Sequence, residues 1–556
     1  MSNPPSPPAT PPPSSPATSS PPPQPLEFPP IDPTNFDLII VGTSLPSSVL
    51  SAAASTAGKT VLHLDPNPFY GSLFSSLSHP SLSSLLLPTR RLLSVVDFPP
   101  LPPHLHPLAH KFSLDVSGPR VLFSADASID LLVKSGVSDY MEFKAVDESL
   151  IFDVDSSRLI SVPDSRAAIF KDKCLSLKEK NQLMKFFKLV QLHLSGDDDS
   201  RISEEDLEKP FFEFLSKMLL PKKIIGIILY AIALADYDQE NIEAVNDLLQ
   251  TKDGIDRLAL YHSSIGRFPN AHGAMLYPMY GQGELPQAFC RRAAVKGCIY
   301  VLRMPVEALL ADEDTGLYRG VRLASGQDLF SQKLIMDPDV VVPQGLASST
   351  PEDSERTLRH PLSIDMGKKV SSDVEKKVAR AICITKTSLK LDASNLMIVL
   401  PPRSLYPEQA TSVRAVQLSS NTAVCPVGMF VVYLSALCND ANQGKTLLTV
   451  AMDALFRQLT SENANVDCEE NPLKNSDAPN AVHEDQRPVC EWRALYIQDI
   501  TEGSIHTVST SPSPDGKLSY NDLFRSTEEM FRQMFPGEEF FPAPMNDNDS
   551  EVVDPE

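Results

Sequence analysis

The stretch that decides the fold is residues 36–65, which read FDLIIVGTSLPSSVLSAAASTAGKTVLHLD. Its nearly continuous apolar start, which ends at Gly42, is typical of a strand buried in a parallel sheet. The small residues from Pro46 to Ala57 predict a helix. A second apolar run from Thr60 to Leu64 predicts another strand, which ends at Asp65. The spacing therefore predicts a βαβ unit in about thirty residues.

This unit has the layout of a dinucleotide-binding fold but lacks most of its glycines. In such a loop the first glycine makes the turn, the second lets the backbone approach the pyrophosphate, and the third lets helix and strand pack closely. The three positions here are Gly42, Ser44 and Ser47. Asp65 is still placed to accept a ribose hydroxyl, but side chains at the other two positions crowd the pyrophosphate. We predict a degenerate loop and no bound cofactor.

Composition excludes several classes of function. A formal net charge of -22 argues against a nucleic-acid partner, because phosphate neutralisation needs clustered Lys and Arg. The eight cysteines form no CxxC pair, which indicates free thiols in a reducing compartment. His104, His106 and His110 lie among prolines with no carboxylate or thiol close by in sequence, so we predict no metal site. Neither a GxSxG elbow nor a P-loop occurs. We expect a cytosolic protein.

The periodicity changes along the chain from mixed α/β to helical and back. Its helical part predicts helices from Lys178 to Leu194, around Phe211 to Leu220, from Ile224 to Ala235 and from Asn241 to Thr251. The fold class that this order predicts is α/β with an inserted all-α domain. Residues 1–33 contain fifteen prolines and are expected to be disordered. The predicted boundaries are a tail at 1–33, domain I at 34–170, 255–345, 379–460 and 489–545, helical domain II at 171–254, an acidic insertion at 346–378, a polar insertion at 461–488, and an acidic tail at 546–556.

Further sequence blocks resemble one family. Asp65 to Gly71 reads DPNPFYG, Lys111 to Asp115 reads KFSLD, Tyr140 to Val146 reads YMEFKAV, and Leu276 to Phe289 reads LYPMYGQGELPQAF. In this order they resemble the Rab GDP-dissociation inhibitor and Rab escort protein family, and the last block is the most specific. The resemblance spans residues 36 to 345 and then thins to patches. It implies a flavin-monooxygenase-like, GDI-like multi-sheet domain I without cofactor, and a helical domain II.

The resemblance also implies partners and the residues that contact them. Tyr70, Glu284 and Arg291 match the family's Rab-binding surface, and Val301 falls where relatives often have methionine. Glu284 and Arg291 are about two helical turns apart, so both could lie on one face. The alternative is that these residues only brace the fold. The expected partners are GDP-bound Rab small GTPases, the α/β heterodimer of Rab geranylgeranyltransferase, and transiently a membrane.

Two branches of the family differ in their partners. Escort proteins also bind the transferase through a helix of domain II, whereas GDP-dissociation inhibitors recycle Rab that is already prenylated. The segment PFFEFL at 210–215 resembles the escort version of that helix. The stretch from Met534 to Pro544 resembles the acidic, proline-bearing C-terminus of escort proteins and also favours that branch. We expect Phe212 to be the anchor, with Phe211 and Phe214 in the core; the alternative is that all three are core residues. The rival from another class is a flavin amine oxidase-like enzyme.

Overall fold

The computed structural model describes residues 28–86, 92–163, 176–196, 202–241, 248–312, 315, 317–343, 346–348, 376–458, 487–500 and 508–542. The predicted tail at 546–556 and most of the segments at 1–33, 346–378 and 461–488 lie outside the described residues. No helix in these described ranges is long and apolar enough to cross a bilayer.

The described residues form alternating strands and helices. The strands are β1 Asn35–Val41, β2 Val61–Asp65, β3 Ser76–Leu77, β4 Leu93–Asp97, β5 Leu114–Asp115, β6 Leu122–Phe123, β7 Phe143–Ala145, β8 Glu148–Asp153, β9 Arg158–Ser161, β10 Met275–Pro278, β11 Ile299–Leu302, β12 Val306–Ala311, β13 Tyr318–Leu323, β14 Asp328–Met336, β15 Leu346–Ser348, β16 Lys377–Thr385, β17 Leu396–Leu400, β18 Val413–Ser419, β19 Phe430–Cys438, β20 Arg457–Gln458, β21 Val489–Asp499 and β22 Ser509–Thr510. The α-helices are α1 Leu45–Thr56, α2 His79–Leu86, α3 Ala127–Lys134, α4 Leu177–Leu194, α5 Glu204–Leu207, α6 Phe211–Lys217, α7 Lys222–Gly226, α8 Thr251–Ser264, α9 Glu284–Val295, α10 Ala441–Leu455 and α11 Asn521–Met534.

The predicted βαβ unit lies at the centre of one sheet. Its strand order is β11-β2-β1-β14-β13-β12-β15, and β22 pairs with the last two residues of β14. Strand β1 runs parallel to both neighbours, so Ile39 lies between Leu62 and Leu334. Helix α1 covers one face and packs against α9 and α11. The predicted strand, helix and strand are confirmed to within about one residue at each end.

A second, larger sheet is mostly antiparallel. Its order is β20-β21-β16-β19-β18-β17-β8-β9, and β4 pairs with β21. Strands β8 and β9 precede the helical segment in sequence and pair with each other, and β8 also pairs with β17, which follows that segment. Helix α10 packs on one face of this sheet, and the helical segment packs on the other. A small sheet of β6, β10 and β7 leads into α9. These mixed sheets with an inserted helical segment are the predicted fold class.

The helical segment contains α4 to α8. Helix α4 begins at a capping box, in which the Ser176 side chain accepts from Glu179 N–H and the Glu179 side chain accepts from Ser176 N–H. Residues 227–232 continue α7 as a buried π-helix. Helix α8 runs across the boundary predicted between 254 and 255, so the extent of this segment stays a proposal.

One predicted helix is not formed at residues 248–250, so that prediction was wrong there. The pattern from Asn241 to Thr251 predicted a helix, and residues 242–247 lie outside the described residues. Residues 248–250 are extended, because the carbonyl of Leu249 accepts from Phe211 N–H at 2.8 Å and Gln250 forms a β-bridge with Pro210. Long-range pairing with the start of α6 therefore wins over the local helical preference, and the helix begins only at Thr251.

Candidate functional site: a sealed loop beside an exposed helix

The loop after β1 folds around a carboxylate from a distant part of the chain. Gly42 has a φ of +100°, and a Cβ added there would lie 2.3 Å from Asp337 Oδ2. Asp337, which follows β14, is fully buried. Only glycine permits both this backbone conformation and this close approach. The first glycine of the loop is therefore required by the protein's own side chain.

The serines at the other two glycine positions donate hydrogen bonds to this carboxylate. Asp337 accepts from Ser44 N–H at 2.8 Å, from Ser44 Oγ at 2.6 Å and from Ser47 Oγ at 2.6 Å. Ser72 Oγ at 2.8 Å and Ser511 Oγ at 2.7 Å complete the shell. The N-terminus of a helix favours a negative charge, and in dinucleotide-binding folds a phosphate takes that place. Here an internal carboxylate fills it, so the residues present do not fit a pyrophosphate.

Asp65 is also used within the protein. Its carboxylate accepts from Thr43 N–H at 2.9 Å, Thr43 Oγ1 at 2.5 Å and Asn67 N–H at 2.7 Å. Burial raises the pKa of Asp65 to about 6, although these hydrogen bonds lower it. Asp65 stands where dinucleotide-binding folds carry an acid that accepts a ribose hydroxyl. Here it is fully buried, and its oxygens accept hydrogen bonds from the loop itself.

Helix α9 presents Glu284 and Arg291 on its outer side. Leu285, Ala288 and Phe289 are buried on the inner side, and the two charged residues are about 10.5 Å apart along the axis. Glu284 is half-buried, and burial raises the pKa of its carboxyl even though Gln287 Nε2 donates to it at 3.2 Å. The guanidinium of Arg291 is exposed and lies 4.5 Å from the centroid of the Tyr140 ring.

A second buried carboxylate fixes the approach to α9. Asp115 accepts from the hydroxyl of Tyr277, from Ser76 Oγ at 2.5 Å and from Gln282 N–H at 3.1 Å. Ser76 Oγ also accepts from Gly283 N–H at 2.7 Å, directly before Glu284. Burial raises the pKa of Asp115 to about 6. The specific sequence block from 276 to 289 therefore forms a strand, a braced turn and the first turn of a helix.

Tyr70 and Val301 lie near the edge strand β11 but on different sides of it. The half-buried ring of Tyr70 meets the ring of Tyr300 edge-on, with centroids 6.0 Å apart. The Tyr300 hydroxyl is fixed by Ser51 Oγ at 2.9 Å. Tyr300 packs with the cluster under α1 and α9, whereas Val301 packs with the cluster on the opposite face of the sheet. Tyr70 and the α9 residues thus share one side, and the structure does not bring Val301 to it.

Helix α6 carries the predicted transferase anchor. Phe211 and Phe214 are buried with their rings 6.5 Å apart, which confirms them as core residues. Phe211 lies directly over Gly254 of α8, where an added Cβ would come within 2.4 Å of the ring. Phe212 is half-buried at the rim of the same core, and Leu219, just after the helix, is 78% exposed. A rim position is compatible with an anchor, and the role of Phe212 stays a prediction.

No local sequence pattern points to several of these residues. Asp337 and Ser511 lie 293 and 467 positions from Ser44, so no local spacing connects them to the loop. Tyr140 lay in one of the matched blocks, but its stacking under Arg291 depends on the tertiary fold. In the histidine cluster, His104 Nε2 lies 2.9 Å from Glu491 Oε2, a carboxylate that is distant in sequence. The described residues contain no group of side chains suited to a metal ion.

Comparison with known proteins gives a consistent assignment. A family model described as GDP dissociation inhibitor matches residues 32–352, and one described as RAE1/2 domain I, C-terminal region, matches residues 378–474. Rab escort protein 1 of Arabidopsis thaliana is 50% identical over 546 residues, which cover 92% of this chain and 94% of that protein. Rab proteins geranylgeranyltransferase component A of Drosophila melanogaster is 28% identical over 552 residues, covering 94% and 93%.

A solved structure agrees with these matches at the level of fold. The crystal structure of a Rab GDI from Plasmodium falciparum has a TM-score of 0.66 at 18% identity, and the match covers 91% of this chain and 99% of that one. The chain belongs to the GDP dissociation inhibitor family, in its Rab escort protein branch. The family and fold class that the sequence blocks predicted are confirmed.

Proposed function

We propose that this chain is a non-catalytic carrier that binds unprenylated, GDP-bound Rab and presents it to Rab geranylgeranyltransferase. The observation that carries this proposal is the 50% identity to a Rab escort protein over nearly the whole chain. The structure supports it with a half-buried acid and an exposed arginine on α9, held on a braced helix start. Charged anchors of this kind orient a protein partner and give specificity.

The transferase would dock through α6, with Phe212 inserted into an apolar pocket of the enzyme. Aromatic anchors in pockets supply much of the binding energy at protein interfaces. In this scheme the transferase heterodimer, rather than this chain, holds the zinc ion and the lipid substrate. The chain would hold the Rab in position for the transferase. The hydrogen bonds to Asp337 in the loop after β1 support the proposal that this loop binds no nucleotide cofactor.

After lipid transfer, the helical segment would shelter the geranylgeranyl groups. Each buried methylene is worth about 0.8 kcal/mol, so free lipid in water is strongly unfavourable. The shelter would keep the prenylated Rab in the cytosol until a membrane takes up the lipid. Contact with the membrane would therefore be transient.

A reconstituted prenylation reaction tests this proposal against the alternative of a Rab GDP-dissociation inhibitor. Unprenylated Rab, purified transferase and labelled geranylgeranyl diphosphate are combined with and without this chain. We expect lipid transfer to depend on the chain, and no transfer when the chain replaces the transferase. An inhibitor would leave transfer at background and would instead extract prenylated Rab from vesicles.

An absorbance spectrum of the purified protein tests the flavoenzyme alternative. We expect no band near about 450 nm, where a bound flavin absorbs. The same spectrum after incubation with excess FAD and gel filtration should also be featureless, because Asp337 and its serine shell fill the loop. A retained flavin band in stoichiometric amount would contradict the carrier assignment.

A further inference from the structure

Two large apolar side chains in the described ranges combine high exposure with a left-handed backbone. They are Leu219, with a φ of +57°, and Tyr280, with a φ of +67°. Glycine adopts this backbone region readily, Asn and Asp tolerate it, and it is unfavourable for the other residues. Tyr280 is the one that lies beside Glu284.

The backbone of Tyr280 is fixed from two sides. Its N–H donates to Thr422 O at 2.8 Å, and its carbonyl accepts from Ser113 Oγ at 2.5 Å. The next residue, Gly281, has a φ of +109°, and a Cβ there would lie 2.4 Å from Ser76 Oγ. Glu284 N–H then donates to Gly281 O at 3.2 Å. The position of Tyr280 is therefore tied rigidly to the start of α9.

The side chain of Tyr280 gains little from the fold. It is 55% exposed, and in the described part of the chain its ring has no aromatic or cation partner and its hydroxyl has no hydrogen bond. Tyr277, three residues earlier, is the opposite case: it is fully buried and donates to Asp115. The same short segment thus places one tyrosine in the core and holds the other out in water on a strained backbone.

We infer that Tyr280 is a preformed aromatic contact for the GTPase that docks on α9, an inference that rests on the proposed function. A tyrosine loses little conformational entropy on binding, and a fixed backbone reduces that loss further. It offers the GTPase an apolar ring with a polar tip, next to the charges of Glu284 and Arg291. Tyrosine is one of the residue types enriched among binding hot spots.

Three full-length variants test this inference with unprenylated, GDP-loaded Rab. Tyr280→Gly removes the side chain and suits the left-handed backbone. Tyr280→Asn replaces the ring with a small polar side chain that also tolerates this backbone, and Tyr280→Phe keeps the ring. Affinity is measured by titration calorimetry, and stability by thermal unfolding of the free chain. We expect Tyr280→Gly and Tyr280→Asn to weaken Rab binding about tenfold or more.

The thermal midpoint separates a binding role from a structural one. Glycine accepts this backbone without strain, so Tyr280→Gly should unfold at the same or a higher temperature, and Tyr280→Phe should bind within about threefold of the wild type. Unchanged Rab affinity of both the Gly and Asn variants would overturn the inference, as would a fall in midpoint that accompanies the loss of binding. A wild-type chain that binds no Rab would overturn the proposed function itself.

Discussion

The surface on α9 and the surface on α6 differ in chemistry and in what supports them. The α9 surface carries an acid, an arginine stacked on Tyr140, and an exposed tyrosine. On α6 the half-buried Phe212 lies at the rim of a core, beside the exposed polar side chains of Glu213, Ser216 and Lys217. Helix α9 packs with α1 and α11 in one apolar cluster, whereas α6 packs in another, shared with the helical segment and the large sheet.

Under the proposed function, this difference predicts different roles for the two surfaces. Charged and aromatic groups on a braced turn orient a partner and select it, while a half-buried apolar side chain supplies affinity when a pocket covers it. Because the two helices belong to different cores, each surface should respond to substitution independently.

Removing the buried carboxylate at the loop should have the largest effect. Asp337→Ala leaves Ser44, Ser47, Ser72 and Ser511 without their shared acceptor, so we expect the free energy of unfolding to fall by about 3–5 kcal/mol. Urea unfolding measures this loss. Because α1 packs against α9, Rab binding should weaken while transferase binding persists. A fall in the free energy of unfolding of less than about 1 kcal/mol would show that the Asp337 hydrogen bonds do not stabilise the fold.

Removing both charged residues of α9 should abolish most Rab binding. Glu284→Ala with Arg291→Ala is expected to weaken affinity for GDP-loaded Rab about a hundredfold or more, equivalent to about 3 kcal/mol. A pull-down followed by titration measures this change. The matched control is Glu528→Ala with Arg532→Ala, which removes a half-buried acid and an exposed arginine 2.7 Å apart on α11. Equal affinities of the two double variants would refute the assignment of the α9 surface.

The turn before α9 should give stability a pH dependence. Burial raises the pKa of Asp115 from its ordinary value of 3.8 to about 6, so the folded state retains a proton that the unfolded state has lost between these values. The contribution of Asp115 to stability is therefore greatest below about pH 4 and falls as the pH rises to 6, by on the order of 2–3 kcal/mol.

Asp115→Asn isolates this titration. The unfolding free energy of the wild type minus that of the variant is measured at several pH values from 4 to 7. We expect the difference to shift in favour of the variant as the pH rises, and to level off above 6. A difference that stays constant with pH would show that Asp115 does not titrate in this range.

Shortening the α6 anchor should have the smallest effect of these changes. Phe212→Ala is expected to weaken transferase binding by about 10- to 50-fold, near 2 kcal/mol, and to leave Rab affinity unchanged. Leu194→Ala, which truncates a half-exposed apolar side chain on α4, is the control and should affect neither partner. A parallel loss of both partners would instead assign Phe212 to the core.

The extent to which sequence predicts this molecule varies with the range of the interactions. The βαβ unit was predicted closely because a continuous apolar run and a small-residue helix report local burial. The sealing of the loop was not, since Asp337 and Ser511 reach Ser44 only through the tertiary fold. The helix predicted across 248–250 failed for the same reason: pairing with residues 209–211 overrides local preference. Likewise, sequence spacing placed Glu284 and Arg291 together but could not show that Val301 lies across the sheet.

The most direct test of the whole account is whether Rab and the transferase bind this chain at the same time. Sedimentation of the chain with unprenylated GDP-loaded Rab and the transferase heterodimer should give a single ternary complex. The Glu284→Ala, Arg291→Ala double variant should lose Rab from this complex, and Phe212→Ala should bind the transferase more weakly. Mutually exclusive binding, or a transferase that sediments separately from the Rab-bound chain, would contradict the escort function and the independence of the two surfaces.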